Sequence, residues 1–139
     1  MEKSVALERK RASEIVERLK VEYPNAKCSL TYKTDHQLLV ATILSAQCTD
    51  KRVNQITPGL FKKYKNIESF AYCDVEELAL DIHSAGYHNS KARSIKGSAL
   101  KIVEENNGQI PTNMKDLVDL PGVGRKTANC VLGECFNVP

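Results

Sequence analysis

The chain predicts an all-α fold, a compact multi-helix domain. Apolar residues recur at helical spacing along most of its length, no segment alternates with a strand period, and capping residues, glycine or proline punctuate the periodic stretches. With 139 residues, 42% hydrophobic and 27% charged, the chain suits one core, and residues 1–139 read as a single helical domain. About six or seven short helices packed around one buried helix is the expected arrangement.

Each element has its own signal. An N-terminal helix over roughly residues 6–22 carries Ala12, Ile15, Val16 and Leu19 on one face and ends before Pro24. Thr34, with Gln37 three residues on, forms a capping-box start for the run Leu38-Leu39-Val40-Ala41-Thr42-Ile43-Leu44. That run is apolar on all sides, so it predicts the central buried helix. Val53, Ile56, Leu60, Phe61 and Tyr64 form the next stripe, which Pro58 should kink or split. Val75, Leu78, Ala79 and Ile82 follow an Asp74 cap, with Glu77 favourable near the helix start. Ala92, Ile95, Ala99, Ile102 and Val103 continue the pattern until Gly108 and Pro111 end it. Thr112 can cap a short helix bearing Met114, Leu117 and Val118, which stops at Leu120 before Pro121. Ala128, Val131, Leu132 and Cys135 define one face of the last helix.

Composition excludes several classes. No apolar run approaches membrane-spanning length, and Met1-Glu2-Lys3-Ser4 lacks the apolar segment of a secretory signal, so the expectation is an intracellular protein without a membrane partner. The five cysteines, Cys28, Cys48, Cys73, Cys130 and Cys135, are odd in number and include no C-x-x-C pair, which points away from a disulfide framework or a zinc site. Cys135 falls on the apolar face of the last helix, and it and Cys130 read as small core or near-core residues. A formal net charge of +3 does not by itself demand a polyanion. Its distribution is more informative. Lys51, Arg52, Lys62, Lys63, Lys65, Lys91, Arg93, Lys96, Lys101, Arg125 and Lys126 recur near the motifs described next, whereas Asp74, Glu76, Glu77 and Asp81 cluster between them, suggesting one basic face.

Leu120-Pro121-Gly122-Val123-Gly124-Arg125-Lys126-Thr127-Ala128 joins the last two helices by a tight turn. Gly122 and Gly124 permit positive φ and leave no side chain between backbone N–H groups and a ligand. The following helix offers free N–H groups and the positive end of its dipole, so the unit can clamp one backbone phosphate, with Val123 in the turn and Arg125 and Thr127 as extra donors. An ordinary tight turn is the other reading of the two glycines. Lys126 stands in the first helical turn, where a cation opposes the dipole. Such local violations are kept for function more often than for stability. Partial burial there would lower its pKa and favour the neutral, nucleophilic amine. A second phosphate contact is its simpler role.

L-P-G-V-G-R-K-T-A-N closely resembles the helix-hairpin-helix motif of the endonuclease III DNA glycosylases, here spanning about residues 112–135. Leu44-Ser45-Ala46-Gln47-Cys48-Thr49-Asp50 resembles the family's L-S-A-Q-x-T-D signature, and Gly86-Tyr87-His88-Asn89-Ser90-Lys91-Ala92 is similar to a third stretch, G-hydrophobic-x-N-S-K-A. The resemblance runs from about residue 10 to Pro139 and implies an endonuclease III-like six-helix domain.

That resemblance also implies a chemistry. The family's enzymes rotate a damaged nucleotide out of duplex DNA, at a cost of a few kcal/mol. The matching glutamine, Gln47, would enter the vacated space, where an amide can both donate to and accept from the orphaned base. Without the resemblance Gln47 reads as an exposed helix-end residue, and Asp50 either joins the interface or caps the following helix. Tyr87 stands where relatives carry a leucine or an aromatic wedge. A ring there can stack on a base step, and core packing is the alternative. Asn89 and Lys91 fall in the same DNA-facing motif. Lys126 would attack the sugar C1′, release an oxidised pyrimidine and form a Schiff base that allows cleavage by β-elimination.

The expected partner is double-stranded DNA with damaged bases or abasic sites. The family pairs this lysine with an aspartate in a V-D-T-H segment after the hairpin helix, and follows it with four cysteines holding a 4Fe–4S cluster. Asp116, Asp119 and Glu134 occupy no matching position. By resemblance the chain is therefore the helical domain of a longer two-domain enzyme, weakly active or inactive alone, and carries no cofactor or metal of its own. A helix-hairpin-helix module that only grips DNA backbone is the alternative.

Overall fold

Helix starts in this chain are largely written by short polar side chains, and the structure, a computed structural model that describes residues 29–136, bears this out. The expected N-terminal helix lies outside the described residues, as does Cys28. Thr34 opens α1 (Asp35–Leu44), its hydroxyl accepting the Gln37 N–H at 3.1 Å. Gln37 in turn accepts from the Lys33 N–H at 2.8 Å, one residue before the N-cap of a reciprocal box. Every residue from Leu38 to Leu44 is buried, so α1 is the central helix that its all-round apolar sequence implies.

Five further α-helices and a 3₁₀ turn lead to the last α-helix. Thr49 caps α2 (Asp50–Lys63) through the Arg52 N–H. Contrary to expectation, α2 runs through Pro58 unbroken. The proline costs one ladder bond, but buried Thr57 and Leu60 beside it anchor the helix to the core, and such packing outweighs local propensity. Asn66 caps α3 (Ile67–Ala71), and Asp74 caps α4 (Val75–Asp81), as its position implied. A 3₁₀ turn, His83–Ala85, precedes α5 (His88–Glu105), which ends in a turn where Asn107 and Gly108 take positive φ. For α6 (Met114–Val118) the cap is Asn113, not Thr112, and the helix ends before Asp119. Only Leu117 of its expected face is fully buried; Met114 is half-buried and Val118 is exposed. The last helix is α7 (Arg125–Phe136).

No strand occurs among the described residues. Helices α3 and α4 pack on α5, α6 packs on α7, and α1 touches α2, α5 and α7. Ala128, Val131 and Leu132 of α7 are buried as their spacing implied. The half-buried Cys135 thiol is pushed up to about 12 by burial and by its hydrogen bond to Asp35, which suits a packed and unreactive cysteine. Among the described residues no helix is long and apolar enough to cross a membrane.

Because Leu38 is wholly enclosed, Leu38→Ala should lower unfolding free energy by about 2–5 kcal/mol. A urea titration checks this; a loss below ~1 kcal/mol would mean that α1 is not packed as described.

Candidate functional site

Helix N-termini favour acidic residues in the first turn, and five of the described α-helices have them: Asp35, Asp50, Glu68, Glu76 with Glu77, and Asp116. The remaining two, α5 and α7, have none. These are the helices that the Tyr87 stretch and the glycine hairpin open. Moreover, α5 starts without a side-chain cap. Its first bond, from the Lys91 N–H to the Tyr87 carbonyl at 2.9 Å, leaves the N–H groups of His88, Asn89 and Ser90 without helical acceptors. On α7 the bond from the Ala128 N–H to the Gly124 carbonyl at 2.9 Å does the same for Arg125, Lys126 and Thr127. Both starts can therefore take an anion.

The hairpin before α7 is seated on α5. Gly122 has φ 75°, and a Cβ there would lie 2.4 Å from the Ser94 Cβ and 2.6 Å from its hydroxyl. One turn on, Ser98 donates its hydroxyl to the Pro121 carbonyl at 2.5 Å, and a Cβ on Gly97 would stand 3.0 Å from the Pro121 ring. This seat lies about 9–15 Å along the axis from the start of α5. Gly124 differs from the expectation. Its φ is not positive and a Cβ there would meet nothing within 4 Å, so glycine at this position leaves the outer side of the turn open to a ligand. Val123 differs too, because its side chain is buried and its N–H is taken by the Leu120 carbonyl at 3.1 Å.

Gln47 and Tyr87 share an unusual state. Both are exposed non-glycine residues in the left-handed region, with φ 52° and 49°, a conformation that costs roughly 1–2 kcal/mol each. Gln47 crowns the turn after α1, which the bond from the Cys48 N–H to the Ser45 carbonyl closes. Tyr87 follows Gly86, also at positive φ, and is 67% exposed, which removes the core-packing alternative for its ring. Beside it the His83 and His88 rings lie 4.6 Å apart. Asp50 stands in the first turn of α2, half-buried, and accepts from the Ser29 hydroxyl; the cap itself is Thr49.

Lysines divide sharply. Lys91, expected at the interface, is buried instead; its ammonium donates to the Leu44 carbonyl at 2.8 Å and the Ala85 carbonyl at 3.0 Å. Burial pushes its pKa down. Lys63 pairs with Glu77 and Asp81, Lys101 with Asp119, and Lys96 donates to the Cys73 carbonyl. The single basic face expected from the sequence therefore loses these members. Lys51 and Arg52 in the first turn of α2, Arg93 on α5, and Arg125 and Lys126 on α7 remain exposed. The Lys126 side chain makes no hydrogen bond or ion pair with the described residues. Its expected partial burial is not observed, and the residue is exposed. Asn89 is likewise exposed, and Thr127 is half-buried.

The carboxylates near the hairpin are engaged elsewhere. Asp119 lies 2.6 Å from the Lys101 ammonium, which holds its carboxyl below the ordinary range. Asp116 accepts from the Asn113 amide, and Glu134 from the Tyr32 hydroxyl. No group of three or more His, Cys, Asp or Glu side chains among the described residues could hold a metal, so Cys48, Cys73, Cys130 and Cys135 do not fit an iron–sulfur cluster. Sequence reasoning missed Ser94, Gly97 and Ser98 as the hairpin's seat. A glycine inside a helix, about 1 kcal/mol worse than alanine, was the available signal.

Residues 40–131 match the family described as HhH-GPD superfamily base excision DNA repair protein. The chain is 52% identical over 136 residues to the endonuclease III of Synechocystis sp., covering 98% of this chain and 62% of that protein. It is 45% identical over 117 residues to the endonuclease III of Bacillus subtilis, covering 84% and 53%. A solved non-covalent complex of endonuclease III with DNA superposes with a TM-score of 0.86 at 38% identity, covering 94% of this chain and 61% of that one. A trapped covalent endonuclease III–DNA intermediate matches equally well. The chain thus spans 53–62% of the length of these relatives.

The two hairpin glycines should respond differently to substitution. Gly122→Ala meets both left-handed strain and the Ser94 contact, so it should cost about 2–4 kcal/mol by chemical denaturation. Adding Ser94→Gly should restore part of that. Gly124→Ala should stay within about 0.5–1 kcal/mol. Equal costs at the two positions would refute this account of the seat.

Proposed function

The chain belongs to the HhH-GPD superfamily of base excision DNA repair proteins, and within it to the endonuclease III family, and from that membership we propose that the encoded protein is a DNA glycosylase with abasic-site lyase activity. Its substrate is duplex DNA carrying an oxidised pyrimidine or an abasic site. The observation that carries the reading is the start of α7: acid-free, preceded by an open hairpin, and bearing Arg125 and Lys126 against the dipole.

Each part then has a task. The free N–H groups at the start of α7, with Arg125, Thr127 and the bare outer side of Gly124, hold one backbone phosphate. Gln47 fills the space left by the everted nucleotide, and the Tyr87 ring wedges against a neighbouring base step. Their backbones are already in the strained conformation that projects these side chains, so little ordering remains to be done on binding. Asn89, at the uncapped start of α5, adds a polar contact to the same strand.

Lys126 supplies the nucleophile. Its neutral amine attacks C1′ as the glycosidic bond breaks, and the base leaves with the bond's electron pair and takes up a proton. Opening of the sugar gives an iminium between Nζ and C1′. Loss of a C2′ proton then expels the 3′ phosphate, and water releases the lysine. The carboxylate that would assist these steps is assigned to none of Asp116, Asp119 or Glu134, since each serves the fold. The family resemblance implies a 4Fe–4S cluster for the full-length protein, and no step here depends on one.

Borohydride should trap a covalent adduct between the encoded protein and abasic-site DNA, and Lys126→Gln should reduce it by a factor on the order of 10³ or more, as loss of a nucleophile does. Binding of Lys126→Gln to intact duplex should persist and remain salt-sensitive. An undiminished adduct in that variant would leave Lys126 as a phosphate contact and favour a module that only grips DNA.

A further inference from the structure

We propose that Lys91 is a positioning residue whose buried ammonium, bound by the Leu44 and Ala85 carbonyls, locks the Gln47 turn to the Tyr87 turn so that both side chains enter a duplex as one unit. The proposal rests on the reading of Gln47 and Tyr87 given above.

The connectivity is specific. Leu44 is the last residue of α1, and its carbonyl is one of those that a helix end leaves without a partner; Gln47 stands three residues later. Ala85 ends the 3₁₀ turn, and Tyr87 stands two residues later. The Lys91 ammonium bridges these carbonyls, while the Lys91 backbone N–H bonds the Tyr87 carbonyl itself at 2.9 Å. One residue therefore holds Tyr87 on its C-terminal side, holds its approach on the N-terminal side, and ties both to the turn that carries Gln47.

Stability alone is a poor reason for this arrangement. In a residue only 5% exposed the ammonium gives up most of its hydration, and no carboxylate is bonded to it; two neutral carbonyls return only part of that loss. An apolar side chain of similar length would fill the space without that penalty. What it would not supply is a directional link between two loops distant in sequence. Left-handed non-glycine backbone persists where its surroundings over-determine it, and Gln47 and Tyr87 are the described non-glycine residues that combine that backbone with one of the interface motifs. Other contacts hold each turn separately, through the Cys48 to Ser45 and Gly86 to His83 bonds. Lys91 joins them.

A double-mutant cycle in the encoded protein separates positioning from support of the fold. Single-turnover base release is measured alongside the fluorescence of 2-aminopurine placed opposite an abasic analogue, on samples shown folded by circular dichroism. Lys91→Met should slow base release and the fluorescence change by about tenfold to hundredfold, the scale of an ångström-level misplacement. Affinity for intact duplex and its salt dependence should not move. In a Gln47→Ala/Tyr87→Ala background the same change should add less than about twofold, because the groups it positions are gone. A full multiplicative loss in that background, or folded Lys91→Met that performs like the unaltered protein, overturns the proposal. Where Lys91→Met does not fold, Lys91→Leu takes its place; it too removes the donors of both hydrogen bonds, and the same cycle applies. If Gln47→Ala/Tyr87→Ala behaves like the unaltered protein, the reading of the two loops fails, and the proposal falls for that reason.

Discussion

A Cβ on Gly122 would overlap the Ser94 side chain at 2.4 Å, so the hairpin reaches α5 only because that atom is missing. Much else depends on this approach. It lets the Pro121 carbonyl accept from Ser98 and the proline ring cover Gly97, which makes small residues one turn apart on α5 into a shallow seat. The seat fixes where α7 begins, and the burial of Ala128, Val131 and Leu132 fixes how it turns. The direction of the α7 dipole, and the open N–H groups at its start, are thus consequences of the hairpin's seat on α5 and of α7 packing on α1 rather than of the hairpin sequence alone.

Helix α5 is consequently both scaffold and instrument. Its buried face, Ala92, Ile95, Ala99 and Ile102, is covered by α3 and α4, while its first turn carries Tyr87, Asn89 and Lys91. Rigid helices place side chains more accurately than loops do. Placing both the hairpin seat and the Tyr87 turn on one helix makes their separation a property of helix geometry. The Gln47 turn lies on another helix, α1, and needs a separate link, which the Lys91 ammonium provides.

Elements were legible in the sequence where a local signal and a core-facing stripe agreed. Thr34 and Asp74 cap where expected, and α1 is buried from Leu38 to Leu44, because capping and all-round hydrophobicity are short-range properties. Failures came where tertiary context outweighs the local rule. Pro58 sits within α2 since packing beside it holds the helix. Asn113 displaced Thr112 because both can cap, and the register of Leu117 against the core selects between them. Gly124 carried no positive φ, since the turn needs that conformation only at Gly122. The Gln47 and Tyr87 motifs were readable as sites through the resemblance, whereas the burial of Lys91 was not. Nothing within four residues of a lysine says whether two distant carbonyls will surround its head group.

Net charge is a weak guide to the interface for the same reason. Lys63, Lys96 and Lys101 bind acids or carbonyls of neighbouring segments, and Lys91 is enclosed, so these cations already have partners within the chain. The cations left exposed beside the motifs, Lys51, Arg52, Arg125 and Lys126, occupy the first turns of α2 and α7, where the helix dipole disfavours them. Asp50 opposes the pair on α2, and a chain that balances its other helix starts with Asp35, Asp50, Glu68, Glu76 and Asp116 does not lack the means to do so at the start of α7. The uncompensated positive potential at the start of α7 is reduced when an anion arrives, so the local cost in the free protein becomes a favourable term on binding. The placement of unopposed positive charge, more than its total of +3, is what marks the surface on which a phosphate backbone would lie.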